Sequence, residues 1–355
     1  MKSLLLVMVV GCLAGNSWAD IPRTLSGHPN LSGNFNTGTL TPLQRPKAFG
    51  NNLYMTREKA TELANAQKAM IEKLFGGDSL DPDRKAPPKG GDGNFAFGAG
   101  GVGGYNSFWI DRGEGSFELD GQIRTSIIYQ PENGRLPPLL PAAQKRLTAR
   151  YALFGADNQQ GAWWLDREGP GPFDGPESRT MSDRCLQGFG STGGPPMLPT
   201  LYNNYKRIIQ SEDHVMILVE MVHDVRTVRL NSEHISQDIR LWMGDSIGYW
   251  EEDTLVVDTT NFTDRPGYGR GSRDLQVIER FSRIDGDHVR YQFTVSDPSS
   301  WQGSWSGEYT WSQTPDPVYE YACHEGNYAM EGILRGGRLL EAEHRAEEPA
   351  VFLGK

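Results

Sequence analysis

Gly244-Asp-Ser-Ile-Gly-Tyr-Trp-Glu-Glu-Asp-Thr-Leu-Val-Val-Asp-Thr-Thr-Asn-Phe262 reads as a β-hairpin. Asp245 to Trp250 and Thr254 to Thr260 are its arms, and Glu251-Glu252-Asp253 turns them. The pattern recurs downstream, where Val277 to Ile284 and His288 to Val295 flank the turn Asp285-Gly286-Asp287. Upstream, Ile123 to Tyr129 reads as a strand ending at Glu132-Asn133-Gly134. Val215 to Leu230 reads as one long strand with apolar residues on both faces, as for a strand buried on both sides. Val318 to Glu325 is the last strand the pattern predicts. Short strands this closely spaced predict a mainly β protein, an antiparallel barrel or sandwich, with a lipocalin-like barrel among the forms allowed.

Ahead of these strands the pattern changes. Residues 20 to 55 carry Pro22, Pro29, Pro42 and Pro46 and read as a strand-poor lead-in. Thr56 caps a helix running to about Phe75, with Ala60, Leu63, Ala64, Met70, Ile71 and Leu74 on one face, and Gly76-Gly77 ends it. From Lys85 to Gly104 Gly and Pro dominate. Gly98-Ala-Gly100-Gly-Val-Gly103 fits the dinucleotide pattern, but more Gly precedes it and Tyr105-Asn106-Ser107 follows, where a strand and a helix would be needed. A flexible loop is the better reading. A short helix from about Ala142 to Ala152 interrupts the β region. The expected division is 1–19 leader, 20–119 partly helical Gly/Pro-rich segment, 120–345 β-rich domain and 346–355 tail.

The first residues resemble a secretory leader: Lys2 gives a positive start, Leu4 to Val10 is apolar, and Ser17-Trp18-Ala19 offers a cleavage site before Asp20. Val9-Val10-Gly11-Cys12 is a rival, a lipoprotein box that would lipidate Cys12. Either way the expectation is a periplasmic or secreted protein without a membrane span, since the apolar run falls well short of the ~20 residues a spanning helix needs. After Ala19 only Cys185 and Cys323 remain, and an even pair in an oxidising compartment points to one disulfide. The net charge of -10 with scattered Lys and Arg argues against nucleic acid as partner. Nine Trp, thirteen Tyr and fourteen Phe supply large surfaces for a core or an aromatic-lined pocket.

Four blocks carry a resemblance. They are Arg124 to Pro138, Glu177 to Cys185, the Gly244–Phe262 hairpin, and Tyr319-Glu-Tyr-Ala-Cys-His-Glu-Gly-Asn-Tyr328. Together they resemble a family of exported bacterial proteins of acidobacterial and sphingomonad type, over roughly residues 120 to 345. The chain departs from it at Asn231-Ser-Glu-His234, where the family has Gly-Arg-Pro-His, and at Trp301 to Trp311, which lacks a Pro-Trp pair. The resemblance implies export and a β-rich domain. It brings no reaction with it.

Chemistry must therefore come from the residues. No HExxH helix, CxxC pair or P-loop is present, and no Gly-x-Ser-x-Gly stands between a strand and a helix as an elbow requires. Ionisable residues do sit inside apolar strands: Glu220, Asp224 and Arg226 on one face of the Val215 strand, His223 on the other, with a structural carboxylate–Arg pair as the plainer reading. In the Val318 strand Tyr321 and Glu325 share one face and His324 takes the other. His223, His234 and His324 permit a three-ligand metal site by count, but at no established spacing, so no cofactor is expected. In the hairpin region Trp242, Tyr249 and Trp250 stand beside Asp245, Asp253 and Asp258, either as a ligand platform or as core and turn chemistry. Two function classes follow. One is a cofactor-independent hydrolase or lyase acting on an apolar or aromatic small molecule. His223, His324, Glu220 and Glu325 would do its acid/base work, and Arg226, Trp242, Tyr249, Trp250 and Tyr321 would bind substrate. The other is a non-catalytic periplasmic binding protein for a hydrophobic or carbohydrate ligand. Convergence of the histidines and carboxylates on one cavity would favour the enzyme. The oligomeric state is left open.

Overall fold

The computed structural model describes residues 21–75, 111–155, 161–188, 192–266 and 268–347. The expected leader, Cys12, the Gly98–Gly103 stretch and most of the expected tail lie outside them. In chain order the elements begin with β1 (Gly33–Asn36), β2 (Tyr54–Met55) and α1 (Arg57–Phe75). β3 (Glu118–Leu119), β4 (Gln122–Arg124), β5 (Ile128–Gln130) and α2 (Pro141–Gly155) follow. Then come β6 (Tyr205–Gln210), β7 (His214–Val219), β8 (Val225–Leu230), β9 (Asp245–Glu251) and β10 (Thr254–Thr260). β11 (Gln276–Arg283), β12 (His288–Ser296), β13 (Trp305–Gln313) and α3 (Tyr328–Glu347) complete the chain.

Nine strands close into a barrel in the order β1-β6-β7-β8-β9-β10-β11-β12-β13, with β13 pairing back onto β1. An odd number of strands cannot alternate direction all the way round a ring, so at least one neighbouring pair must run parallel. That pair is β8 and β9, in the register Val228↔Ser246. The expected antiparallel barrel is thus a mixed one. Its wall includes β1, from the lead-in read as strand-poor. β13 pairs with β12 along one edge and with two strands along the other: Phe35 and Asn36 of β1 face Gln313 and Ser312, while β5 pairs at Ser306 and Gly307. Outside the barrel β2, β4 and β3 form a small sheet.

Strict alternation fills the lumen. β11 turns Val277, Glu279, Phe281 and Arg283 inward, and β12 turns Val289, Tyr291, Phe293 and Val295. The Tyr291 ring packs against Trp311 at 5.0 Å and Phe281 at 5.1 Å. The segment before β6 plugs this core: Met197 is fully buried, donates its backbone N–H to the Tyr291 hydroxyl, and accepts from the Tyr309 hydroxyl, both at 2.9 Å.

Both hairpins and the two expected helices are present, and Lys59 donates to the Thr56 cap at 3.3 Å. Other expectations are corrected. Val215–Leu230 is not one strand but two, β7 and β8, joined by a tight turn at Glu220–Asp224. Ile123–Tyr129 divides into β4 and β5, which belong to different sheets, because Thr125 bonds back to the Asn52 and Leu53 carbonyls. Val318–Glu325 is irregular, entering a turn at Cys323, rather than strand; the disulfide and the start of α3 hold it instead of a ladder. The segment Trp305–Gln313 supplies the missing strand, and residues 328–347, inside the span read as β-rich, are helical. α3 packs closely on the segment 163–174: a Cβ at Gly337 would meet Phe173 Cβ at 2.6 Å, and Trp164 donates to Glu341 at 2.9 Å.

Candidate ligand-binding site

The β7–β8 turn is built without Gly or Pro. Val222 and His223 both take left-handed backbone, at φ 61 and φ 47, which costs L-residues roughly 1–2 kcal/mol each. Compensation comes from around the turn. Val219 N–H donates to the Asp224 carbonyl at 2.8 Å, and Gly188 N–H donates to the Asp224 carboxylate at 3.1 Å. His223 Nδ1 donates to the Tyr321 carbonyl at 3.1 Å. The turn is thereby fastened to the segment 319–323, which the Cys185–Cys323 disulfide fastens to the segment 177–188. Asn327 completes the frame by donating to the Asp183 carbonyl at 2.8 Å.

These pieces enclose a cavity of about 1010 Å³ at the barrel rim. Tyr202, Tyr319, Tyr321 and, from α3, Ile333 give it an apolar and aromatic wall, while Asn203, Asp183 and Glu220 supply polar groups. Glu220 is buried, and burial pushes its carboxyl above the usual range; Asn203, the Tyr205 and Tyr319 backbone, and Lys206 oppose the rise. Behind it Lys206 lies fully buried, donating to Thr37 Oγ1 at 3.0 Å above the Trp311 ring. Burial pulls the amine from 10.5 down to about 7, against the attraction of Glu220. Asp224, also buried, is pushed up to about 6 despite the Gly188 hydrogen bond and the nearby His223. Asp224 and Lys206 stand behind the cavity wall and do not line it.

Of the expected acid/base residues, only Glu220 lines the cavity. His223 is exposed, its Nδ1 occupied by the Tyr321 carbonyl, and His324 and Glu325 are exposed and outside the lining. Arg226 is in the lumen, where it forms a bidentate pair with Glu279, and Tyr291 donates to the same carboxylate at 2.7 Å. The Arg226 partner is thus Glu279 and not Asp224 or Glu220, because the turn at Glu220–Asp224 takes those carboxylates out of the β8 face. Tyr321 lines the cavity. Trp242 and Tyr249 are exposed elsewhere, and Trp250 stacks on His28 at 4.6 Å. Nor does the hairpin's acidic set form a platform: Asp245 holds Arg229 and His234, Asp253 holds Arg23, and Asp258 accepts from Gln276. Among the described residues no group of three His, Cys, Asp or Glu is placed to hold a metal ion.

Sequence reading missed Tyr202, Asn203 and Ile333, which lie outside its strands and blocks. A signal did exist for Glu279. It is the one acid at inward parity between Val277 and Phe281, and a buried acid at such a position demands a cation opposite. No protein-family model matches the chain, and no curated protein matches it.

Proposed function

We propose that this protein is an extracytoplasmic binding protein for a small apolar or aromatic molecule, held in the rim cavity between the β7–β8 turn and α3. One observation carries the reading: three tyrosines wall the cavity beside the carboxylates of Asp183, Glu220 and Glu320, while both candidate imidazoles lie outside its lining. Acid/base catalysis generally needs a poised donor and acceptor on one substrate, whereas a binding site needs an apolar wall with a few polar anchors. The Glu220 carboxyl, buried at the wall, offers a polar anchor for a hydroxyl of the ligand. Export rests on the leader pattern, on the resemblance to exported proteins and on the disulfide, which persists in oxidising compartments.

Titration with 2-naphthol by calorimetry tests the proposal. Saturable binding is expected, lost in Ile333→Arg, with the 2-naphthol recovered unchanged. Equal affinity in Ile333→Arg would move the site elsewhere, and conversion of the compound would restore the enzyme reading, with Glu220 as its acid.

A further inference from the structure

The block Glu177 to Cys185 is a partition. Ser182, Asp183 and Cys185 face the rim cavity, while Glu177, Arg179, Thr180 and Met181 face a second cleft of about 570 Å³ on the other side. That cleft runs between α2, the segment 170–172 and the loop 264–271. Its floor is apolar: Ala143 and Pro172 are buried, and Leu147 and Met181 half-buried. Its rim is cationic.

Arg146, Arg265 and Arg270 line the cleft with exposed side chains. Arg146 reaches only the neutral oxygens of Ser299 and Ser300. Among the described residues, none of the three has a carboxylate within 4.0 Å, whereas the acids nearby are engaged: Asp264 with Arg273 and Asp183 with Arg179. Glu177 is the remaining carboxylate of the lining. A chain of net charge -10 has ample acid to neutralise guanidiniums, yet three of them share a cleft with one free acid. Like charges so placed repel, and an anion bound among them removes that repulsion. The guanidinium fork matches a planar or tetrahedral oxyanion, and the floor beneath accepts an apolar body.

We propose that this cleft is a binding site for an amphipathic anion, a carboxylate or sulfate head on an aliphatic or aromatic body, separate from the rim cavity. The head lies among Arg146, Arg265 and Arg270, and the body lies along Leu147, Met181 and Pro172.

Calorimetry with octanoate and octyl sulfate tests it, with octanol and inorganic sulfate as the partial ligands. Both amphiphiles should bind at least tenfold more tightly than either partial ligand, and more weakly as salt rises. The double variant Arg265→Ala/Arg270→Ala should lose at least tenfold in octanoate affinity, since it removes two of the three guanidiniums around the head. Both residues are exposed, so its melting temperature should hold. Ile333→Arg, which blocks the rim cavity, should leave octanoate binding intact. Octanol binding as tightly as octanoate, undiminished binding in the double variant, or loss of octanoate binding in Ile333→Arg would each overturn the proposal.

Discussion

Three buried ionisable groups around the β7–β8 turn should shape how stability depends on pH. Asp224, raised from 3.8 to about 6, binds more protons folded than unfolded between those values, so its contribution to stability falls as pH rises from 4 to 6. Glu220 acts in the same sense. Lys206, lowered from 10.5 to about 7, binds fewer protons folded than unfolded, so its contribution rises with pH from 7 to 10. Urea unfolding should therefore show stability dipping near pH 6 to 7 and recovering in base. Asp224→Asn keeps an oxygen for the Gly188 N–H and should flatten the acidic limb by up to about 3 kcal/mol; an unchanged limb would show that Asp224 titrates as an exposed acid. In the lumen, Glu279→Ala leaves Arg226 buried without its counter-charge and should cost about 3–5 kcal/mol. The double change Arg226→Met/Glu279→Leu should recover most of it, because matched apolar groups replace a desolvated pair. Comparable destabilisation in the double variant would mean that the network with Tyr291 and Met197 contributes beyond the charge pair.

At the scale of elements, legibility followed turn chemistry. The β9–β10 and β11–β12 hairpins were readable because Glu252-Asp253 and Asp285-Gly286-Asp287 interrupt clear arms. The β7–β8 turn was not, because its residues Met221, Val222 and His223 resemble strand residues, and only tertiary bonds to Gly188 and Tyr321 hold their left-handed backbone. Splitting that one strand displaced the whole expected site: Glu220 goes to the cavity and Arg226 to the lumen. Tyr319, Tyr321 and Cys323 alternate as a strand would, yet the disulfide governs their placement. The Cys185–Cys323 pairing itself was readable from the count of cysteines, and the structure places their Cα atoms 5.6 Å apart. Its partners are 138 residues apart in sequence, so on the chain-entropy model it stabilises by roughly 4–5 kcal/mol. Cys185→Ser/Cys323→Ser should lose about that much in chemical denaturation. Because both cysteines line the rim cavity, the variant should also bind 2-naphthol at least tenfold more weakly. Unaltered affinity would show that the segment 319–323 keeps its place without the bond.

For the whole molecule, a β-rich barrel was legible in the spacing of its hairpins, but its closure was not. β1 is only four residues long and lies among prolines, so no local pattern announces it, yet it bridges β6 and β13. Phe35, fully buried at that seam against Trp311, should cost about 3–5 kcal/mol as Phe35→Ala if closure contributes to the fold as the topology implies. The packing of the lumen explains where a ligand can go. Aromatic side chains from β11, β12 and β13 fill the lumen, so this barrel offers its large cavity at the rim, under α3 and the disulfide-held segment. Hydrogen–deuterium exchange with and without 2-naphthol tests that placement most directly. Binding at the rim should slow exchange at Tyr202–Asn203, in the Glu220–Asp224 turn and from Tyr319 into the first turns of α3, with β11 and β12 unchanged. Protection confined to the lumen strands or to the Ile239–Tyr249 surface, with the rim segments unaffected, would contradict it.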